Sequence, residues 1–254
     1  MSNFDLADLR TILHAGKRVQ LSERGEGEPA FVLLAGLGDP ASWWFRHPGP
    51  QEAQPHWHGT LMLRVGLASR LAATSRVAAY DRAGVGGSEA PDDDRSWAEL
   101  FGELQAMLNA LELTRPPTLV GHSLGGLIAW AFARQFPGQV GGLVLLDPTP
   151  PPTSPKPHGD SPERLALKHF EVSDLDAGTL GDLPLLLIGP GYTPPQDKGR
   201  FYARRSQHER LIATSSRGQA VWTSDTGHYV HLDTTLEVTE AVLDFWRRLS
   251  ATPR

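Results

Sequence analysis

The pentapeptide Gly121-His122-Ser123-Leu124-Gly125 is the part of this sequence best suited to chemistry. It lies between an apolar run of strand length and a segment with helical spacing of apolar residues. In that setting a G-x-S-x-G pattern forms a sharp strand-to-helix turn that exposes a serine nucleophile. Glycines are needed there because they keep side chains out of a tight crossing of strand and helix. The pattern therefore predicts Ser123 as a nucleophile at the carboxyl edge of a sheet.

A histidine near the C-terminus is the predicted general base for this serine. A hydroxyl is a poor nucleophile at neutral pH and needs a base within hydrogen-bond reach. His228 follows the last apolar run on a Thr226-Gly227 turn, which suits the chain order serine, acid, histidine. His231, three residues later, is the competing candidate. The two histidines have no third ligand with a clear role, so we predict no metal and no cofactor.

The elements that must position these residues alternate between strand-like and helix-like segments. Apolar runs of strand length occupy residues 31–34, 77–80, 118–120, 143–146, 185–188 and 220–222. Continuous apolar strands are typical of a parallel sheet covered on both faces. The segment Arg18–Ser22 predicts an antiparallel edge strand. Helical patterns follow Ser96, cover 124–136 and end the chain, so we predict a three-layer α/β/α sandwich with a mostly parallel central sheet.

Two segments interrupt this alternation. Residues 39–59 have no clear periodicity and predict a long loop or short broken helices. Residues 148–182 begin with several prolines and then contain Ser161-Pro162-Glu163, a helix start, so we predict a small lid there. The chain has 254 residues, a common size for one α/β domain, and residues 1–254 are expected to form a single domain.

The motifs together resemble those of the α/β-hydrolase superfamily, in its serine-nucleophile, esterase- or lipase-like branch. The resemblance rests on Gly-His-Ser-Leu-Gly-Gly at 121–126 and on Asp81-Arg82-Ala83-Gly84-Val85-Gly86-Gly87-Ser88, which is similar to the family's D-R-x-G-x-G-x-S loop. It extends to residues 34–38, 136–147 and 227–228, and so over most of the chain. Asp81 and Arg82 are expected to organise their own loop. These motifs specify the fold far more than the substrate.

The position of the triad acid departs from the commoner pattern of this family. That position would follow the strand at 185–188, which here runs into residues 189–194 without a carboxylate. Asp147 ends the preceding strand, matches an alternative acid position in the superfamily and keeps the order Ser123, Asp147, His228. We predict Asp147 as the acid that fixes the imidazole tautomer and stabilises the imidazolium. Asp197 is the chief rival, since a proline-rich loop could carry it back toward His228.

Backbone N–H groups are expected to stabilise the oxyanion. The predicted donors are Leu124, which follows the nucleophile, and Leu37, in the loop after the first buried strand. The family often has His-Gly before that second donor, whereas this chain has Ala35-Gly36. Backbone donation does not require the missing histidine.

These residues predict a serine hydrolase that acts on carboxylic esters or related acyl substrates through an acyl-enzyme. A serine nucleophile disfavours the epoxide and haloalkane branches, which use aspartate. Two alternatives stay open: a carbon–carbon bond hydrolase, and a non-acylating scaffold such as a ligand receptor or a cofactor-independent oxygenase. The sequence leaves the acyl and leaving groups of the substrate undetermined.

Composition restricts the possible partners. The formal net charge is −5, charged residues make up 21% of the chain, and no dense basic cluster is present; the Arg204-Arg205 pair is too short to count. We therefore predict a small-molecule substrate and no nucleic-acid or membrane partner. The chain has no cysteine and no signal-peptide pattern, so we predict a cytoplasmic protein. The sequence does not predict an oligomeric state.

Overall fold

Strands form where the sequence has uninterrupted apolar runs, and helices connect them. The computed structural model describes residues 8–28, 30–47, 64–93, 95–151, 179–191 and 198–251. In chain order the elements are β1 (Asp8–His14), β2 (Lys17–Arg24), β3 (Phe31–Leu34), α1 (Ser42–Phe45), β4 (Arg46–His47), β5 (Arg64–Val65), α2 (Leu67–Leu71), β6 (Val77–Tyr80), α3 (Trp97–Ala110), β7 (Thr118–His122), α4 (Leu124–Gln135), β8 (Gly142–Leu146), β9 (Leu185–Pro190), α5 (Lys198–Ile212), β10 (Gly218–Thr223), α6 (Val230–Asp233) and α7 (Thr235–Ala251).

The main sheet has eight strands in the order β1-β2-β6-β3-β7-β8-β9-β10. Pairing is antiparallel between β1 and β2 and between β2 and β6, and it is parallel in the rest of this sheet. All six predicted apolar strands are present. The prediction of a mostly parallel sheet is confirmed.

Successive side chains of a strand point to opposite faces of the sheet and pack into two separate cores, one on each face. Val32 and Leu34 of β3 pack into the core that contains residues of α3 and α4. Phe31 and Leu33 pack into the other core, together with residues of α2 and α7. Apolar side chains on both faces explain why these strands have no polar alternation. The predicted three-layer α/β/α sandwich is confirmed.

The edge of the sheet differs from the prediction. The segment Arg18–Ser22 was expected to be the edge strand, but it belongs to β2, which pairs with β1 on one side and β6 on the other. The edge strand on this side is β1, which the sequence did not reveal because, of its three apolar residues, only Ile12 packs against the core. Leu9 and Leu13 are 63% and 72% exposed.

Two predictions fall largely outside the described residues. The predicted lid at 148–182 is described at 148–151 and 179–182. The predicted irregular segment at 39–59 is described up to His47, where it contains α1 and β4, a short helix and a short strand. The lid and the single-domain organisation stay predictions. Within the described ranges, no helix is both long and apolar enough to cross a membrane.

The parallel strands bring the predicted site residues to one edge of the sheet. Residues 35–39 follow β3, Ser123 follows β7, Asp147 follows β8, and His228 follows β10. Because parallel strands share the direction of their carboxyl ends, these four segments meet at the same edge, where open α/β sheets bind their ligands.

We expect Gly125→Ala to destabilise the protein strongly. A Cβ at this position would approach the main-chain oxygens of Leu34 and Ala35 far more closely than the 3.0 Å that real Cβ atoms respect. Overpacking against backbone costs about 1–3 kcal/mol or more. The measurement is the free energy of unfolding in urea. Gly138→Ala is the control because a Cβ there meets nothing within 4 Å, and equal stability of the two variants would contradict this packing.

Candidate active site

Ser123 occupies a strained turn between β7 and α4. Its φ of +50° and ψ of −117° are unusual for a residue other than glycine. Its N–H donates to Leu146 O at 3.1 Å, and its carbonyl accepts the N–H of Thr149 at 2.9 Å. These bonds to β8 and to the loop after it hold the turn in place. Such strain is typical of functional sites.

His228 lies between Ser123 and Asp147. Its Nε2 is 2.9 Å from Ser123 Oγ, and its Nδ1 is 2.6 Å from Asp147 Oδ2. An ionised carboxylate can only accept, so the proton lies on Nδ1. Nε2 is then an acceptor aimed at the serine hydroxyl. This is the tautomer that a general base requires.

Asp147 is almost completely buried, with 1% of its side chain exposed. It too has a positive φ, +38°, and its N–H donates to Ile188 O at 2.8 Å. Besides His228, its carboxylate accepts a hydrogen bond from Arg204 of α5, with Nε 2.9 Å from Oδ1. The structure thus joins Ser123, His228 and Asp147 in one hydrogen-bonded chain. The rival acid, Asp197, lies outside the described residues.

The competing histidine, His231, is buried away from solvent. It is 4% exposed, and its ring packs against those of Trp44 and His122 at centroid distances of 4.5 and 4.6 Å. Burial holds the pKa of His231 well below its ordinary value. A neutral, packed imidazole of this kind suits a structural role.

His122, inside the pentapeptide, supports the turn that carries His228. Its Nε2 donates to the main-chain oxygen of His228 at 3.0 Å, and the two rings lie 4.7 Å apart. Burial lowers the pKa of His122 to about 3, so the ring stays neutral. It is a wall residue of the site.

The loop after β3, which contains Leu37, is held by side chains from the loop after β6. Arg82 donates to Ala35 O at 2.7 Å and to Gly36 O at 2.5 Å. Asp81 Oδ1 accepts the N–H of Ala41 at 2.7 Å, and Oδ2 accepts that of Gly87 at 2.9 Å. Asp81 thus organises its own loop, as predicted, through the bond from Gly87. The described side-chain bonds of Arg82 go instead to the loop after β3, which both residues fix.

Tyr229 and Asp39 close the same edge of the site. Tyr229 donates its hydroxyl to Asp39 Oδ1 at 3.3 Å, and its ring lies 4.8 Å from that of His122. Burial, together with the Asp39 charge, raises the pKa of Tyr229 to about 12. The phenol therefore keeps its proton and remains a donor to the carboxylate.

Several polar residues of the site were not predicted from the sequence. Thr149 Oγ1 lies 3.4 Å from Ser123 Oγ, and α5 contributes Arg204 and His208. The helix α5 is polar and has no clear apolar stripe, so nothing in its pattern indicated that it faces Asp147. Among the described residues, no group of three or more His, Asp or Glu side chains is arranged to hold a metal ion.

The comparison with known proteins agrees with this architecture. The profile of the α/β-hydrolase fold family matches residues 29–231. This chain belongs to the α/β-hydrolase family. An uncharacterized protein of Mycobacterium tuberculosis is 34% identical over 118 residues, which cover 46% of this chain and 28% of that protein.

One further relative and one solved structure have more informative names. A 2-hydroxymuconate semialdehyde hydrolase of Pseudomonas putida is 38% identical over 138 residues, covering 54% of this chain and 42% of that enzyme. The matches thus span less than half the length of these two curated relatives. A thermophilic esterase from Thermogutta terrifontis has a similar structure, with a TM-score of 0.73, 19% identity and coverage of 96% of this chain and 99% of the esterase. This structural likeness shows the fold.

We expect the buried histidines to make the protein sensitive to mild acid. His122 and His231 stay neutral in the folded state, whereas in the unfolded chain they protonate near their ordinary value of about 6.5. The unfolded state then binds more protons, so stability falls as the pH drops below about 6.5, by up to about 1.4 kcal/mol per pH unit for each histidine.

Urea unfolding between about pH 7.5 and about pH 5.5 measures this dependence. His122→Gln retains a side-chain donor but cannot titrate, so its stability should vary less with pH than that of the wild type. An unchanged pH dependence in His122→Gln would contradict the assignment of a depressed pKa to His122.

Proposed function

We propose that this protein is a serine hydrolase that cleaves carboxylic esters or related acyl substrates through an acyl-enzyme. The observation that carries the proposal is the hydrogen-bonded chain from Ser123 Oγ to His228 Nε2 at 2.9 Å and from His228 Nδ1 to Asp147 Oδ2 at 2.6 Å. The first distance lets His228 take the serine proton, and the second lets Asp147 orient the imidazole through a hydrogen bond.

The proposed reaction has two steps. Ser123 Oγ attacks the substrate carbonyl while His228 Nε2 takes the hydroxyl proton, and the imidazolium then protonates the leaving group. Water next attacks the acyl-enzyme, giving its proton to His228, and Ser123 is released with its proton restored. Throughout, the proton stays on His228 Nδ1, and Asp147 accepts a hydrogen bond from it and stabilises the imidazolium.

The N–H groups of Leu124 and Leu37 are the proposed donors to the oxyanion. Leu124 is the first residue of α4, and the first N–H groups of a helix have no partner within the helix. Leu37 lies in a turn closed by the N–H of Asp39, which donates to Gly36 O at 3.3 Å. Arg82 braces that turn, so its N–H groups need little reorganisation when charge develops.

A carbon–carbon bond hydrolase is the second candidate, because the names of two relatives point to that class of substrate. The Pseudomonas putida enzyme named 2-hydroxymuconate semialdehyde hydrolase is 38% identical over its matched part, and another relative from that species is named a 2-hydroxy-6-oxo-2,4-heptadienoate hydrolase. The ester assignment is preferred because the residues described above account for every step of ester cleavage: Ser123 and His228 for attack and proton transfer, Asp147 for orientation, and two backbone N–H groups for the oxyanion.

We expect Ser123→Ala, His228→Ala and Asp147→Asn each to lower kcat by about three orders of magnitude or more, since the three residues act as one unit. The measurement is hydrolysis of p-nitrophenyl butyrate. In parallel, a fluorophosphonate probe should label Ser123 in the wild type and leave Ser123→Ala unlabelled.

Two variants serve as controls. Ser216→Ala removes an exposed serine of the described chain, and Asp197→Asn removes the rival acid; both should keep the wild-type rate. Full activity in Asp147→Asn would refute Asp147 as the acid. A folded wild type that neither hydrolyses the ester nor reacts with the probe would refute the acyl-enzyme and favour a non-acylating scaffold.

A direct comparison of substrates separates the two hydrolase classes. We expect kcat/KM for p-nitrophenyl butyrate to exceed that for 2-hydroxymuconate semialdehyde, followed by absorbance. The reverse order, with loss of both activities in Ser123→Ala, would assign the protein to the carbon–carbon bond hydrolases instead.

A further inference from the structure

The helix α5 approaches the triad acid with two side chains one helical turn apart. Arg204 and His208 are separated by four residues and so lie on the same face of the helix. Arg204 contacts Asp147, and His208 Nε2 donates to the main-chain oxygen of Pro148 at 3.1 Å. The segment that carries the acid is thus held from outside β8, the strand that it follows.

Arg204 binds both the side chain and the main chain of Asp147. Its Nε is 2.9 Å from Oδ1, and its Nη2 is 2.8 Å from Oδ2. Nη2 also lies 3.4 Å from the main-chain oxygen. A planar guanidinium fixes the plane of a carboxylate in a way that a single donor cannot. Here that plane directs Oδ2 toward His228 Nδ1.

Asp147 needs such support because its conformation is unfavourable. A positive φ costs a residue other than glycine about 1–2 kcal/mol, and Asp147 has a φ of +38°. Its carboxylate is also removed from water, with 1% exposure, so an unpaired charge there would be costly. The contacts from Arg204 offset both terms. Ion pairs with two well-exposed partners, such as Arg247 with Asp244, contribute little by comparison.

We propose that Arg204 is a positioning residue, which orients the carboxylate of Asp147 toward His228 and favours the reaction through Asp147. This inference rests on the proposed hydrolase function. His208 is a second brace for the same segment. Burial lowers the pKa of His208, so its ring is neutral, and its one N–H donates a hydrogen bond to the main-chain oxygen of Pro148.

Charge alone does not explain the contact. Arg204 Nη2 lies 3.1 Å from His228 Nδ1, and that nitrogen already carries the proton shared with Asp147. A nearby positive charge opposes formation of the imidazolium, so the benefit of Arg204 must come from geometry. A lysine, which keeps the charge but lacks the planar fork, should replace Arg204 only in part.

The test is a double-mutant cycle on kcat and KM for p-nitrophenyl butyrate. Arg204→Met should lower kcat about 10- to 100-fold, the effect of misplacing a catalytic group by about 1 Å, with KM nearly unchanged; Arg204→Lys should lie between it and the wild type. In the Asp147→Asn background, Arg204→Met should have no further effect. The control is Arg205→Met, which alters a neighbour that pairs with Glu209.

Several outcomes would overturn the inference. Multiplying effects in the double mutant, or a rise in KM with unchanged kcat, would mean that Arg204 acts on the substrate or independently of Asp147. If activity falls in both Arg204→Met and Arg204→Lys in proportion to a lower unfolding midpoint, Arg204 has only a structural role and the positioning role is refuted.

A spectroscopic measurement tests the positioning without relying on turnover. A proton in the short bond between His228 Nδ1 and Asp147 should give a far-downfield NMR resonance in the wild type, which His228→Ala removes. The resonance should shift or broaden in Arg204→Met and persist in Arg205→Met. An identical resonance in Arg204→Met overturns the positioning role, whether or not the wild type hydrolyses the ester. A wild type that hydrolyses no ester refutes the proposed function instead, so the two failures are distinguishable.

Discussion

The close crossing of β7 and α4 is the constraint on which the rest of the site depends. At Gly121 of β7 the main chain of Gly125 and Gly126 in α4 already occupies the space that any side chain would need, and at Gly125 the main-chain oxygens of Leu34 and Ala35, at the end of β3, do the same. The same fit holds Ser123 at a φ of +50°, and a hydrogen bond to Leu146 of the neighbouring strand keeps it there. For the proposed nucleophile, a position fixed in this way removes an ordering step on substrate binding, which lowers the entropic part of the barrier.

A second constraint is the burial of a negative charge. Asp147 is 1% exposed, and a carboxylate in that setting requires partners that donate to it. Among the described residues, His228 donates to it on one side and Arg204 on the other, and His208 Nε2 lies 3.6 Å from Oδ1. Because Arg204 belongs to α5, the crossover between β9 and β10 takes part in setting the geometry of an acid that follows β8. The geometry of the site therefore depends on the segments that follow β3, β7, β8 and β10 and on α5, which contacts Asp147.

Sequence patterns predict what depends on local periodicity and miss what depends on contacts between distant segments. The apolar runs located the central strands because burial on both faces leaves no polar positions. They missed β1, whose Leu9 and Leu13 are exposed. The G-x-S-x-G turn and the order of strands also sufficed to place Ser123, His228 and Asp147 at one edge. Arg204 was missed, since no motif marks it and its helix has no apolar stripe to show which face packs against the site.

The choice between His228 and His231 shows where three-dimensional information decides. The sequence offered both, three residues apart, on the segment after the last strand. In the structure His231 is packed against Trp44 and His122, and burial keeps His122 and His231 neutral by depressing the pKa of each. His228 contacts both a hydroxyl and a carboxylate. A base must gain and lose a proton during each turnover, so the imidazole with a charged partner and partial access to solvent is the one suited to that work.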